Sequence, residues 1–182
     1  EVYNWFGKKT IWFEAIPHIY DQLKGNLYFY SDQKAFLALL GDEDDIEKDF
    51  FISSNDSAAS SVFNFSNNVI EKGWDGRKIY MKKKIKLKMS KLDTILKKNN
   101  ISAEEYNHWI VDLQGAELLA FKGAVDSLKH CNSISVEVSK VNYCIGGVLW
   151  EELADWLNKK KFFQVASPEK NHTEILFKKK FK

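Results

Sequence analysis

Short apolar runs that stop on an acid or a polar turn recur along this chain, each followed by a stretch with apolar residues at helical spacing. Thr10-Ile11-Trp12-Phe13 ends in Glu14, residues 35–40 end in Gly41-Asp42-Glu43, and Trp109-Ile110-Val111 ends in Asp112. Runs of this length, bounded by turn residues, read as buried strands rather than helices. Pro17 suits the first turn of a helix, and Ile19, Leu23 and Leu27 give that helix one apolar face. Strand and helix in alternation predict an α/β fold: a mostly parallel sheet with helices on both faces. The chain has 182 residues. That length predicts a single domain over residues 1–182, large enough for a core without disulfide staples.

The middle of the chain is less regular. Residues 49–53 suit a short strand, and residues 53–68, rich in Ser and Asn, suit a loop. Gly73-Trp74-Asp75-Gly76 is a turn signal. Lys84-Ile85-Lys86-Leu87-Lys88-Met89 alternates strictly, which predicts a strand with one wet face. Ser90 is placed to cap a helix over residues 92–98. Further on, residues 116–128 read as one helix with Leu118, Phe121, Val125 and Leu128 on its apolar side. Ile134, Val136 and Val138 alternate along a strand, and Leu149, Leu153, Trp156 and Leu157 mark another amphipathic helix. Residues 162–166 and 174–178 form a closing antiparallel pair around a loop at 167–173.

Composition excludes several classes. Net charge is +2, from 27 basic and 25 acidic residues, too balanced for a nucleic-acid footprint. The Lys runs at 82–84, 159–161 and 178–180 read as solvated faces. Cys131 and Cys144 make no disulfide framework, and no histidine shows zinc-ligand spacing with them. No metal is predicted, and a reducing cytoplasm is the expected setting. No apolar run reaches the length of a membrane span.

Chemistry concentrates where runs end in acids. In doubly wound sheets, ligands sit beyond the carboxyl ends of the strands. A carboxylate there offers two acceptor oxygens to the hydroxyls of a ribose. Glu14 is such an acid, and a strand-terminal surface acid is the plainer alternative. Asp112-Leu113-Gln114-Gly115-Ala116-Glu117 is denser in polar groups: the strand stops, a glycine allows a tight turn, and a helix begins. Asp112 and Gln114 then project into the cleft. Glu117 sits in the first helical turn, where the helix dipole also favours an acid.

Val111-Asp112-Leu113-Gln114-Gly115-Ala116-Glu117-Leu118, with Phe121-Lys122-Gly123-Ala124 after it, resembles the D-x-x-G-x-E…L-K-G-A signature of FkbM-type methyltransferases. Trp12-Phe13-Glu14-Ala15-Ile16-Pro17 is similar to that family's I-E-x-x-P segment. Ala59-Ser60-Ser61 is similar to its serine loop, Lys91-Leu92-Asp93-Thr94-Ile95 to its L-D-T segment, and Ser135-Val136-Glu137-Val138 to a strand ending near a family glutamate. These matches keep family order along nearly the whole chain. The resemblance implies a Rossmann-like methyltransferase sheet that binds S-adenosylmethionine. It implies that Glu14 holds the ribose hydroxyls and that Asp42 lies near the adenine. Asp112 and Gln114 then lie by the methionine end, with Glu117 beside them, and Ser60 and Ser61 line the cofactor or acceptor pocket. The family's first strand and glycine-rich loop precede the ribose acid, by about 20 residues in Rossmann folds. Glu14 comes too early for that, so a native segment before Glu1 is expected, and residues 1–182 alone are expected to bind cofactor weakly or not at all.

Methyl transfer to a hydroxyl needs a base for the leaving proton. Asp112 and Glu137 are the candidates, with His18 less favoured. The resemblance implies a sugar or other hydroxylated small molecule as acceptor. Two other readings exist. A nicotinamide-dependent oxidoreductase would also use Glu14 on a ribose, but it leaves the 112–117 cluster unexplained. A non-enzymatic basic module would use the lysines of 82–88 and 178–182, and its binding would weaken steeply with salt.

Overall fold

The computed structural model describes residues 8–67, 69 and 78–180. The expected turn at Gly73-Trp74-Asp75-Gly76 lies outside them. Strand β1 (Thr10–Glu14) pairs in parallel with β2 (Gln33–Leu37), in register from Thr10 opposite Gln33 to Glu14 opposite Leu37. Helix α1 (Pro17–Leu27) connects them. It has no side-chain cap; Pro17 supplies the preset backbone of its first turn. The predicted strand over residues 35–40 is divided. Ala38 donates its N–H to the Glu14 carbonyl at 2.8 Å, and the next two residues, β3 (Leu39–Leu40), turn to a different partner. That partner is β5 (Met81–Ser90), which pairs in parallel with β3 and antiparallel with β4 (Glu47–Ser53). The wet face of β5 carries Lys84 and Lys86, which both reach Asp49 across the ladder.

The second half forms a four-stranded sheet. Its order is β6 (His108–Val111), β7 (Ser133–Ser139), β9 (His172–Lys179), β8 (Phe162–Gln164). Only β6 and β7 are parallel; β9 runs antiparallel to both its neighbours. The expectation of a mostly parallel sheet is therefore corrected: the sheets are mixed, with three parallel and three antiparallel pairings among the described strands. The physical reason is clearest at β8 and β9, which are joined by a loop without a helical crossover, and strands joined that way pair antiparallel.

Alternation along β7 sorts its residues between two environments. Ile134, Val136 and Val138 are buried, while Ser133, Ser135, Glu137 and Ser139 are half-buried on the opposite face. Both α3 (Glu117–Lys122) and α4 (Trp150–Lys159) pack into the apolar cluster, through Leu118, Phe121, Leu153 and Leu157. The Phe121 ring stacks between Trp109 and Trp156, at 6.4 and 6.0 Å. These two helices thus share one face of the four-stranded sheet.

The predicted helix over residues 116–128 stops at Lys122. Gly123 lies so close to the Gly41 carbonyl that a Cβ there would come within 1.9 Å of it. Beyond it, a 3-10 turn (Ser127–His130) is held by Asp93 of α2 (Leu92–Lys98), whose carboxylate accepts the N–H groups of Asp126 and Ser127 at 2.8 Å each. Ser90 stays in its strand and caps nothing. The Asp44 carboxylate takes the Lys91 N–H and the Thr94 hydroxyl at the start of α2. Strand β6, expected to be buried, leaves Ile110 exposed: Trp109 and Val111 pack on the apolar cluster, and Ile110 between them lies on the opposite face. No helix among the described residues is long and apolar enough to cross a membrane.

Candidate active site

β1 and β6 end on the two acids singled out from the sequence, and both acids border one cavity of about 240 Å³. Phe13, Ile16, Leu39, Leu40, Phe50 and Val62 give it an apolar side; Glu14, Ser60, Asp112 and Gln114 give it a polar one. No Lys or Arg is among its described lining residues. Glu14 is fixed by its own chain: Oε1 accepts the Ile16 N–H at 2.7 Å. Such a bond leaves the other carboxylate oxygen as an acceptor for a ligand.

The 112–117 segment folds as it does because three neighbours hold it. Gln114 and Gly115 both take the left-handed backbone, at φ 53° and 96°, which turns the chain sharply off the end of β6. A Cβ on Gly115 would also crowd the Gly147 Cα at 3.1 Å. The Gln114 carbonyl accepts the Ser61 hydroxyl at 2.9 Å, and the Gly115 carbonyl accepts the Val148 N–H at 3.0 Å. From inside, Glu117 Oε1 accepts the N–H groups of Leu113 and Gly115, at 2.9 and 3.1 Å. Glu117 is 2% exposed, and burial pushes its carboxyl up to about 7. Its geometry is that of a brace for the turn, and it does not border the cavity.

Gln114 is the junction of the polar groups. Its Nε2 donates to Asp112 Oδ1 and to Glu137 Oε2, both at 2.6 Å. Glu137 Oε1 lies 2.8 Å from His172 Nε2, and His172 Nδ1 lies 2.7 Å from the Ser139 hydroxyl. Asp112 has an exposed edge toward the cleft but protein around the rest of its carboxylate. Desolvation, and then the Glu137 charge, push it up to about 6. For Glu137, burial works in the same direction, but hydrogen bonds from its neighbours, His172 foremost, bring it below its ordinary value. A smaller recess bounded by Gln114, Glu137, Ser139, Tyr143 and His172 has a volume of about 20 Å³, room for about one water.

The other residues predicted for the site fall less centrally. Ser60 borders the cavity and its Oγ accepts the Ser53 N–H at 3.0 Å. Ser61 is buried and spends its hydroxyl on the Gln114 carbonyl. Asp42 sits half-buried in the turn after β3, outside the lining. His18 is exposed on α1, also outside it. Among the described residues, no three His, Cys, Asp or Glu side chains are placed to hold a metal ion. Both cysteines are buried free thiols, pushed up to about 12 by burial.

His172, Ser139 and the Asp56-Ser57 pair, whose left-handed backbone borders the cavity, were not singled out from the sequence. His172 fell in the loop expected at 167–173. The signal that finds it is the register of β9 on β7, which sequence spacing does not carry.

The features define an α/β protein with an acid-lined ligand cleft at the carboxyl ends of its parallel strands. Residues 2–163 match the family model of the methyltransferase FkbM domain. The chain belongs to that family and is a methyltransferase domain. No curated protein and no solved structure matches it.

Proposed function

We propose that this chain is an S-adenosylmethionine-dependent methyltransferase, one domain over residues 1–182, that methylates a hydroxyl on a sugar or similar natural-product-like small molecule. The observation that carries this reading is the charge of the cavity. Its acids, Glu14, Asp56 and Asp112, have no cation beside them among the lining residues. Acids around an apolar wall suit a cofactor with a ribose, a flat base, an ammonium and a sulfonium. They oppose a pyrophosphate, which argues against a nicotinamide dinucleotide.

In this reading Glu14 accepts from the ribose hydroxyls, with Ser60 and Asp42 on the side of the base. Gln114 and Asp112 stand at the methionine end, while Ser61 and Glu117 hold the turn that carries them. S-adenosylmethionine, held by Glu14, Gln114 and Asp112, would supply an electrophilic methyl on a sulfonium sulfur, the neutral thioether being the leaving group. Most of the protein's contribution is orientation. Asp112 takes the hydroxyl proton, and a base that titrates near pH 6 holds its proton weakly enough to be free at neutral pH. Glu137 stays charged behind it.

The test is calorimetric titration of the native full-length protein with S-adenosylmethionine and, separately, with a nicotinamide dinucleotide. Binding of the first alone is expected. Glu14→Ala should weaken it by about tenfold or more, the worth of a charged hydrogen bond. Heat with the dinucleotide and none with S-adenosylmethionine would reject the proposal.

A further inference from the structure

Antiparallel pairing sets His172 directly opposite Ser139, two residues beyond Glu137 on β7. Residues two apart on a strand share a face, as do residues directly opposite on paired strands. Glu137, Ser139 and His172 therefore emerge together, on the side of β7 away from Ile134, Val136 and Val138. An ionised Glu137 only accepts, so the hydrogen between His172 Nε2 and that carboxylate then belongs to the imidazole. The Gln114 amide carries two hydrogens and meets two carboxylates, one for each.

Two carboxylates this close do not both ionise freely, and the proton goes to the one with fewer donors. Glu137 has two donors, Gln114 and His172; Asp112 has one, Gln114. We propose that His172, backed by Ser139, is a positioning residue that holds Glu137 as the ionised member of the Glu137–Gln114–Asp112 cluster. Asp112 is thereby the member that takes up a proton. The role assigned to Asp112 rests on the methyl-transfer reading; the ordering of the two carboxylates does not.

One further carboxylate faces the cluster: Glu174, on β9 directly opposite Glu137, is exposed, and its like charge works against the ionised form of Glu137. Glu117 of α3, itself raised in part by the Asp112 charge, is still protonated where Asp112 titrates and so adds no charge beside it. Cys144, in the loop before α4, stays a thiol. Tyr143 meets the His172 ring edge-on at 5.4 Å, a packing contact. The opposite shifts of the two carboxyls, Asp112 up to about 6 and Glu137 down, agree with the donor count.

The test is a carbon-13 NMR titration of the Asp and Glu carboxyls in the full chain, without cofactor or acceptor. His172→Phe keeps a ring against Tyr143 but removes both nitrogens. His172→Gln keeps a donor near the Nε2 position. In His172→Phe and His172→Ala, the Glu137 midpoint should rise and the Asp112 midpoint should fall, while burial keeps Asp112 above the ordinary carboxylate range. His172→Gln should keep the wild-type order. If His172→Ala does not fold, the Phe and Gln variants decide the matter. Wild-type midpoints in His172→Phe would overturn the proposal and leave His172 a packing residue. Cofactor binding by calorimetry is read separately, so failure of the methyltransferase reading would leave this result standing.

Discussion

Glu117 belongs to the site by proximity and to the fold by its bonds. Its carboxyl is pushed from an ordinary 4.5 to about 7 by burial, so the native state holds a proton that the unfolded chain releases. Stability is then greatest below about pH 4.5 and falls as pH rises through about 7. Ionising the buried group costs about 3 kcal/mol, at 1.36 kcal/mol per unit. Glu117→Gln keeps an acceptor for Leu113 and Gly115 and removes the titration. Urea midpoints measured between pH 5.5 and about 8 should decline for the wild type and stay nearly level for the variant. Equal slopes would mean that Glu117 is not the titrating group. Asp112 adds a smaller slope of the same sign that ends near pH 6. The sequence showed an acid at this helix start, with both a dipole and a site role open to it. Only the two N–H bonds to Oε1 tell that it braces the turn.

At the scale of elements, the motifs that carry the family resemblance prove largely architectural. Gly123, in the Phe121-Lys122-Gly123-Ala124 segment, lets the end of α3 touch the Gly41 carbonyl. Asp93, in the Leu92-Asp93-Thr94 segment, staples α2 to the 3-10 turn. The Gly123 contact is backbone to backbone, so no rotamer relieves it. Gly123→Ala should cost about 2–3 kcal/mol, as overpacking does. Gly25, in α1, has open space around its would-be Cβ, and Gly25→Ala should stabilise by about 0.5–1 kcal/mol. Thermal melts of the pair check both signs at once. The strands themselves were legible, because their apolar runs are short and end in acids or turns. The division of residues 35–40 was not, since its two halves differ in partner rather than in composition. The same holds for His172: its place beside Glu137 follows from pairing between residues far apart in sequence.

For the whole molecule, the four-stranded sheet depends on its last strand. β9 lies between β7 and β8 and supplies the only pairing that joins them among the described strands. Phe177, opposite Ile134 and fully buried, is its anchor. Phe177→Ala should cost about 3–5 kcal/mol. Because β9 also carries His172, loss of this strand should disturb the carboxylate cluster as well as the core. An amide-exchange experiment on the variant checks this: protection should fall in β7 and β8 together, while β4 and β5 keep theirs.

The insertion of β9 also bears on the order of events as the chain folds. Residues 172–179 pair with both β7 and β8, and among the described strands β8 has no other partner. The sheet that carries Glu137 is complete only once β9 has inserted between them. Folding of this half is therefore dominated by long-range pairing and correspondingly slow.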